Sequence, residues 1–177
     1  MKASSLILHI PDLTWKLMAV ILLRRKNYLV MIENAARGAQ NCLFRNTYAL
    51  LEGQEYDITK DGTLSSGRFV SAILYLNKLI EDLHVTVEGT EKDMLNSGWY
   101  ETKNLKEGTV LVWESLSGTN GGLRTHIGFY LGNDRAVSNN FKTGIPVEHH
   151  ATFGATQGGA PTRGISKIYW HPVLSQQ

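Results

Sequence analysis

Gly62-Thr-Leu-Ser-Ser-Gly-Arg-Phe-Val-Ser-Ala-Ile-Leu-Tyr-Leu-Asn-Lys-Leu-Ile80 opens as a polar turn and continues with apolar residues at Phe69, Val70, Ile73, Leu74, Leu76, Leu79 and Ile80. That spacing approximates the i, i+3, i+4, i+7 pattern of a helix with one buried face, and it predicts a helix starting at Ser65 or Ser66. Such a position favours a nucleophile. Unpaired backbone N–H groups and the positive end of the helix dipole both stabilise a developing thiolate, alkoxide or oxyanion. The same serines also suit a plain helix cap, since a hydroxyl oxygen there satisfies an N–H of the first turn. Periodicity alone leaves both readings open.

With 177 residues, 42% hydrophobic and 19% charged, the chain has the composition of one globular domain with a real core. A net charge of +2 and a pI near 8.6 are compatible with an anionic polymer partner but too slight to argue for nucleic acid. The single cysteine, Cys42, excludes an internal disulfide and a cysteine-rich metal site. Beside Leu43 and Phe44 it reads as a core residue on a helix face, with a nucleophilic role as the alternative.

Before the central helix, residues 1–26 form an N-terminal extension, apolar from Leu17 to Leu23 and followed by Arg24-Arg25-Lys26. The charge falls on the wrong side of the apolar run for a signal peptide, and seven residues are too few to span a bilayer. A packed helix, a peripheral membrane helix and an upstream extension starting naturally at Met18 all fit, the packed helix best. No signal peptide being recognised, the expected location is cytoplasmic or reached by a non-standard export route. Residues 27–177 read as one domain. The pattern from Asn27 to Gly53 is helical with a break near Gly38, and Asp61-Gly62 is a turn that delivers the chain to the central helix.

After Ile80, Thr90 to Leu95 reads as a short helix capped by Thr90. Trp99 and Tyr100, beside Gly98, suit either a substrate cleft or the closing of a core. Strands follow at Leu105–Glu114, Thr125–Asp134, Arg135–Asn140, Ile145–His150 and Ile165–Pro172, with a glycine-rich hairpin loop over 115–124. On the second of these, His126, Gly128 and Tyr130 share one face while Ile127, Phe129 and Leu131 share the other. The imidazole therefore lies on the more polar face, with a glycine leaving room beside it. His149 and His150 are adjacent on a strand and point to opposite faces, so they form no chelate together. With no HExxH or Cys/His cluster, no metal and no cofactor are expected.

Two stretches, Leu105-Lys-Glu-Gly-Thr-Val-Leu-Val112 and Thr125-His-Ile-Gly-Phe-Tyr-Leu-Gly-Asn133, resemble the strand motifs of the NlpC-type and CHAP-type papain-fold cysteine hydrolases of the bacterial cell wall. The resemblance covers about residues 40–172. It implies an α+β papain-like fold, N-terminal helices packed on an antiparallel sheet, and a bacterial or phage origin. The family signature Asp-Cys-Ser-Gly-Phe-Val, matched through Phe69-Val70, puts its nucleophilic cysteine on Ser66; matched through Ser-Gly it falls on Ser65. The first match needs no insertion inside a helix, where one residue rotates the buried face by about 100°.

What the resemblance implies is acyl transfer by a cysteine at position 66, with His126 as base and a polar residue of the next strand orienting the ring. Counting from His126 reaches Ser138, with Asn139 and Asn140 adjacent. An Asn carbonyl accepts the imidazole N–H well, so Asn139 is ranked ahead of Ser138, although alternation lets only one of them face the histidine. Ser65, Trp99 and Tyr130 are the implied substrate-binding residues, and the implied substrate is a peptidoglycan peptide, cut as an endopeptidase or an amidase. A serine at a cysteine position fits engineered inactivation, natural loss of catalysis, or a working serine nucleophile. The last is poor chemistry, because Ser ionises far less readily than Cys. The second reading is therefore a catalytically dead module that binds wall peptides or a protein partner.

Overall fold

The structure, a computed structural model, describes residues 23–38, 40–117 and 123–175. Most of the N-terminal extension, residues 1–22, lies outside the described residues, as does the tip of the predicted 115–124 loop. Among the described residues the fold is α+β, with three α-helices and a six-stranded antiparallel sheet. None of those helices is long and apolar enough to cross a membrane.

Helix α1 (Arg24–Ala36) buries Tyr28, Ile32 and Ala35, an i, i+4, i+7 stripe. The Tyr28 hydroxyl donates to the Gly108 carbonyl at 3.0 Å and so ties the helix to the turn before the sheet. A small hairpin of β1 (Tyr48–Leu51) and β2 (Gln54–Asp57) follows. Helix α2 (Ser66–Leu76) forms within the Gly62–Ile80 stretch, and it buries Phe69, Val70, Ile73 and Leu74. Helix α3 (Val87–Asn96) crosses it so closely that a Cβ at Gly67 would lie 2.6 Å from the Thr86 carbonyl carbon and 2.8 Å from the Val85 oxygen. Glycine at position 67 is thus set by backbone contact rather than by helix propensity.

The sheet is built from β3 (Tyr100–Glu101), β4 (Val110–Ser117), β5 (Leu123–Gly132), β6 (Arg135–Asn140), β7 (Ile145–His150) and β8 (Ile165–Trp170), in the order β3-β8-β4-β5-β6-β7. Alternation gives it two different faces. Val110, Val112, Ile127, Phe129, Leu131 and Val137 join the helices in the main core. Leu111, Trp113, Tyr130, Ala136 and Ala151 form a smaller cluster on the other side, with Phe153, Ile165 and Ile168 against it.

Three local expectations are corrected. The helical pattern of 27–53 ends at Ala36, where Arg37 turns extended and the Asn41 side chain donates to the Ala35 carbonyl at 2.7 Å; the rest is turn and hairpin. Tyr48-Ala-Leu-Leu is an apolar run without period, which by itself does not distinguish strand from helix. Cys42 is exposed in the connecting turn, and Phe44 takes the core place instead, edge-on to Phe69 at 5.3 Å between centroids. Finally, α3 begins one turn earlier than its pattern suggests. Thr86 is the cap, its hydroxyl accepting the Gly89 N–H at 3.0 Å, while the Thr90 hydroxyl donates back to the Thr86 carbonyl.

Candidate functional site

The approach to α2 is held by one carboxylate. Asp57 accepts from the amides of Thr47, Thr59 and Asp61 and from the side chains of Thr59 and Asn46, at 2.7–3.1 Å. Desolvation opposes its charge, but these donors outweigh that and hold its carboxyl well below the usual range. Lys60, Asp61 and Gly62 are all left-handed, so the loop reverses sharply before the helix. Arg45 clamps it with two 2.7 Å bonds to Asp61.

Ser65 is the N-cap residue by position, yet its side chain caps nothing. It is fully buried and its hydroxyl donates to the Arg45 carbonyl at 3.1 Å. It serves the loop and cannot meet a ligand. Ser66, the first residue of α2, is half-buried. Among the described residues no hydrogen bond joins it to His126.

Both belong to the same end of the sheet but to opposite faces: α2 packs with Ile127 and Phe129 in the main core, whereas His126 packs with Trp113 on the other side. Gly128 pairs with Ser138, so β5 runs back from there toward His126 as β6 runs forward to Asn139 and Asn140. Asn139 is buried, and its side-chain N–H donates to the Gly62 carbonyl at 2.7 Å, four residues before Ser66. Asn139 therefore anchors the loop leading to the helix. It faces the helices and not His126, against the ranking made from side-chain chemistry, because alternation gives Ser138 the other face.

His126 Nε2 lies 2.8 Å from Ser138 Oγ. The same hydroxyl lies 2.7 Å from His149 Nε2, and His149 Nδ1 is 2.8 Å from the His150 carbonyl. Burial pushes the His126 pKa down to about 3, helped by the positive charge of Arg163 and then by His149. His149 is lowered too, again by burial first. Both rings are thus neutral near pH 7.

Aromatic packing fixes the group. Trp113, the cross-strand partner of His126, has its ring 5.5 Å from His126 and 5.6 Å from His149. Its indole N–H donates to the Ala151 carbonyl at 2.7 Å. Phe153 stacks on His149 at 4.0 Å with planes 15° apart. Arg163 donates to the Glu114 and Arg124 carbonyls at 2.8 and 2.7 Å, with its guanidinium 6.0 Å from the Phe153 ring centre. The room beside the imidazole that Gly128 promised is already taken: a Cβ there would meet Val137 O at 2.5 Å, Ser138 Cβ at 2.8 Å and Trp113 Cη2 at 2.9 Å.

Two other residues expected to touch substrate are interior. Trp99 is buried in the main core with its indole N–H on the Leu79 carbonyl at 2.8 Å, the core-closing alternative, whereas its neighbour Tyr100 is exposed. Tyr130 is buried in the smaller cluster, its hydroxyl accepting the Asp134 N–H at 3.3 Å.

His149, Trp113, Phe153 and Arg163 were missed as site residues. His149 is tied to Ser138 through strand register. Val147 pairs with Ser138 and His149 with Ala136, so His149 lies diagonally from Ser138 on the same face. Among the described residues no group of three or more His, Cys, Asp or Glu is gathered for a metal ion. A groove of about 370 Å³ on α1, lined by Leu23, Arg25, Leu29, Val30, Glu33 and Glu107 among others, shares no residue with the histidine group. No family model matches the sequence, and no curated protein matches it at a significant level.

Proposed function

We propose that the chain has a papain-like fold and is a hydrolase of the thiol acyl-transfer type, acting on peptide amides of the bacterial cell wall and silenced by Ser66 at the nucleophile position. The observation that supports this reading is a neutral imidazole, His126, held by the hydroxyl of the next-strand residue Ser138, at the end of the sheet where Asn139, on the opposite face, anchors the loop leading to α2. Such chemistry requires nucleophile, base and orienter within hydrogen-bond reach of one another, so the reading requires the side chain at 66 to meet His126 around the end of the sheet.

With a cysteine at 66, the thiolate attacks the amide carbonyl carbon while backbone N–H groups at the helix start stabilise the oxyanion. His126 gives its proton to the leaving nitrogen as the C–N bond breaks. It then takes a proton from water, which cleaves the thioester and releases the acid. A base with a pKa near 3 is weak alone. A thiolate beside it supplies the negative charge that raises it, and a serine does not.

Peptidoglycan fragments incubated with this protein and with Ser66→Cys, and read by mass spectrometry, test the proposal. Cleavage by the cysteine form alone is the expected result, with the new masses naming the bond; silence from both contradicts it. The rival reading, a binding module for wall peptides or a protein partner, is favoured by Ser66 itself. Its mark is muropeptide binding without turnover that persists in Ser66→Cys.

A further inference from the structure

We propose that His149 is a positioning residue that sets the tautomer of His126 through the Ser138 hydroxyl. The relay has one direction because its far end is a carbonyl. The His150 oxygen only accepts, so His149 Nδ1 carries a proton. In a neutral ring Nε2 is then bare, and Ser138 donates its O–H to it across 2.7 Å. Having donated, Ser138 Oγ accepts from His126, whose proton therefore sits on Nε2, at 2.8 Å. His126 Nδ1 is left with the free lone pair and is the atom able to take a proton from a partner.

The burial that keeps His149 uncharged supports this order. Arg163, 6.0 Å from the Phe153 ring centre, adds a positive charge that opposes protonation of His126. Ser138 is itself buried, which excludes water as a competing partner for its hydroxyl and makes the two imidazoles its whole hydrogen-bonding environment among the described residues. Packing against Trp113 and Phe153 keeps the His149 ring in place.

As a statement about tautomers the relay is independent of any activity; as a statement about catalysis it rests on the hydrolase reading above. The test is ¹⁵N NMR of the imidazole nitrogens at neutral pH, on the full chain. His126 is expected with its proton on Nε2 and His149 with its proton on Nδ1. His149→Phe keeps the ring stack but removes the acceptor, so Ser138 turns its hydroxyl toward His126 and the His126 proton moves to Nδ1. His149→Gln, whose side-chain oxygen accepts from Ser138, restores the first state.

Ser138→Ala is the second variant should His149→Phe fold poorly, and it is expected to abolish the Nε2–H preference with His149 intact. A His126 proton on Nδ1 in the unaltered chain, or one that stays on Nε2 in both His149→Phe and Ser138→Ala, overturns the proposal. Adding the same changes to Ser66→Cys separates the two ideas. If the tautomer follows His149 while no variant cleaves, the relay stands and the hydrolase reading falls.

Discussion

Alternation on one strand decides the meaning of two neighbouring residues. Ser138 and Asn139 are both buried and polar, yet one serves the imidazole and the other the loop before α2. The sequence put the right residues on the right strand, but side-chain chemistry was a poor guide to which of them faces His126. Register depends on how β6 is paired to both neighbours, which one strand cannot reveal. Gly67 is the other residue whose role is steric. Gly67→Ala puts a methyl into the Val85–Thr86 backbone, and overpacking of that kind costs about 1–3 kcal/mol. Urea unfolding is expected to show that loss, although alanine has the better intrinsic helix propensity.

At the scale of elements, helix α2 and the strands β4 to β8 were legible because their period is strong: a clean apolar face for the helix, alternation or bounding turns for the strands. The segment from Asn27 to Gly53 was not. Its strands are short and carry exposed apolar residues, Tyr48, Leu50 and Leu51 among them, so no buried face imposes a period of two. The turn after them is set instead by the side chain of Asp57. Asp57→Ala leaves the amides of Thr47, Thr59 and Asp61 without their acceptor. Faster amide hydrogen exchange over residues 57–66 than in the rest of the domain is the expected result. The cap of α3 offers a cleaner magnitude. Thr86→Ala removes the acceptor of the Gly89 N–H and is expected to lower stability by about 1 kcal/mol in denaturant titration, whereas Thr90→Ala leaves that bond intact.

For the whole molecule, the response to acid is set by groups held below their ordinary pKa values: Asp57, Asp93, His126 and His149. Asp93 has desolvation against it, yet the side chain of His84, the amides of Asp82 and Glu81 and the hydroxyl of Ser97 together lower its pKa from 3.8 to about 2. His126 is lowered from 6.5 to about 3, by burial first. In both cases the unfolded chain takes up a proton before the folded one does, so stability is highest above the unfolded value and falls as pH drops. The His126 loss begins near pH 6.5 and runs to about 3; the Asp93 loss is confined to about pH 4 to 2. Urea midpoints are therefore expected to decline already between pH 6.5 and 5, and His126→Phe is expected to make that part of the curve shallower, with His149 keeping its share, while leaving the steeper fall below pH 4. The division of the sheet into a helix face and a histidine face follows from strand alternation. That the second face gathers Trp113, His149 and Phe153 around His126 depends on the β6–β7 register and on the chain after β7, and neither has a period to read.

Position 66 and His126 must act as one unit for the chain to be a silenced thiol hydrolase. The direct measurement is the pH dependence of iodoacetamide alkylation of the thiol introduced by Ser66→Cys, in a Cys42→Ser background that removes the exposed native thiol. A paired thiolate is expected to react with an apparent pKa well below the ordinary value of about 8.5, and to return to that value when His126→Ala is added. A thiol that titrates near 8.5 with or without His126 would contradict the pairing, and with it the reading of this chain as a silenced hydrolase.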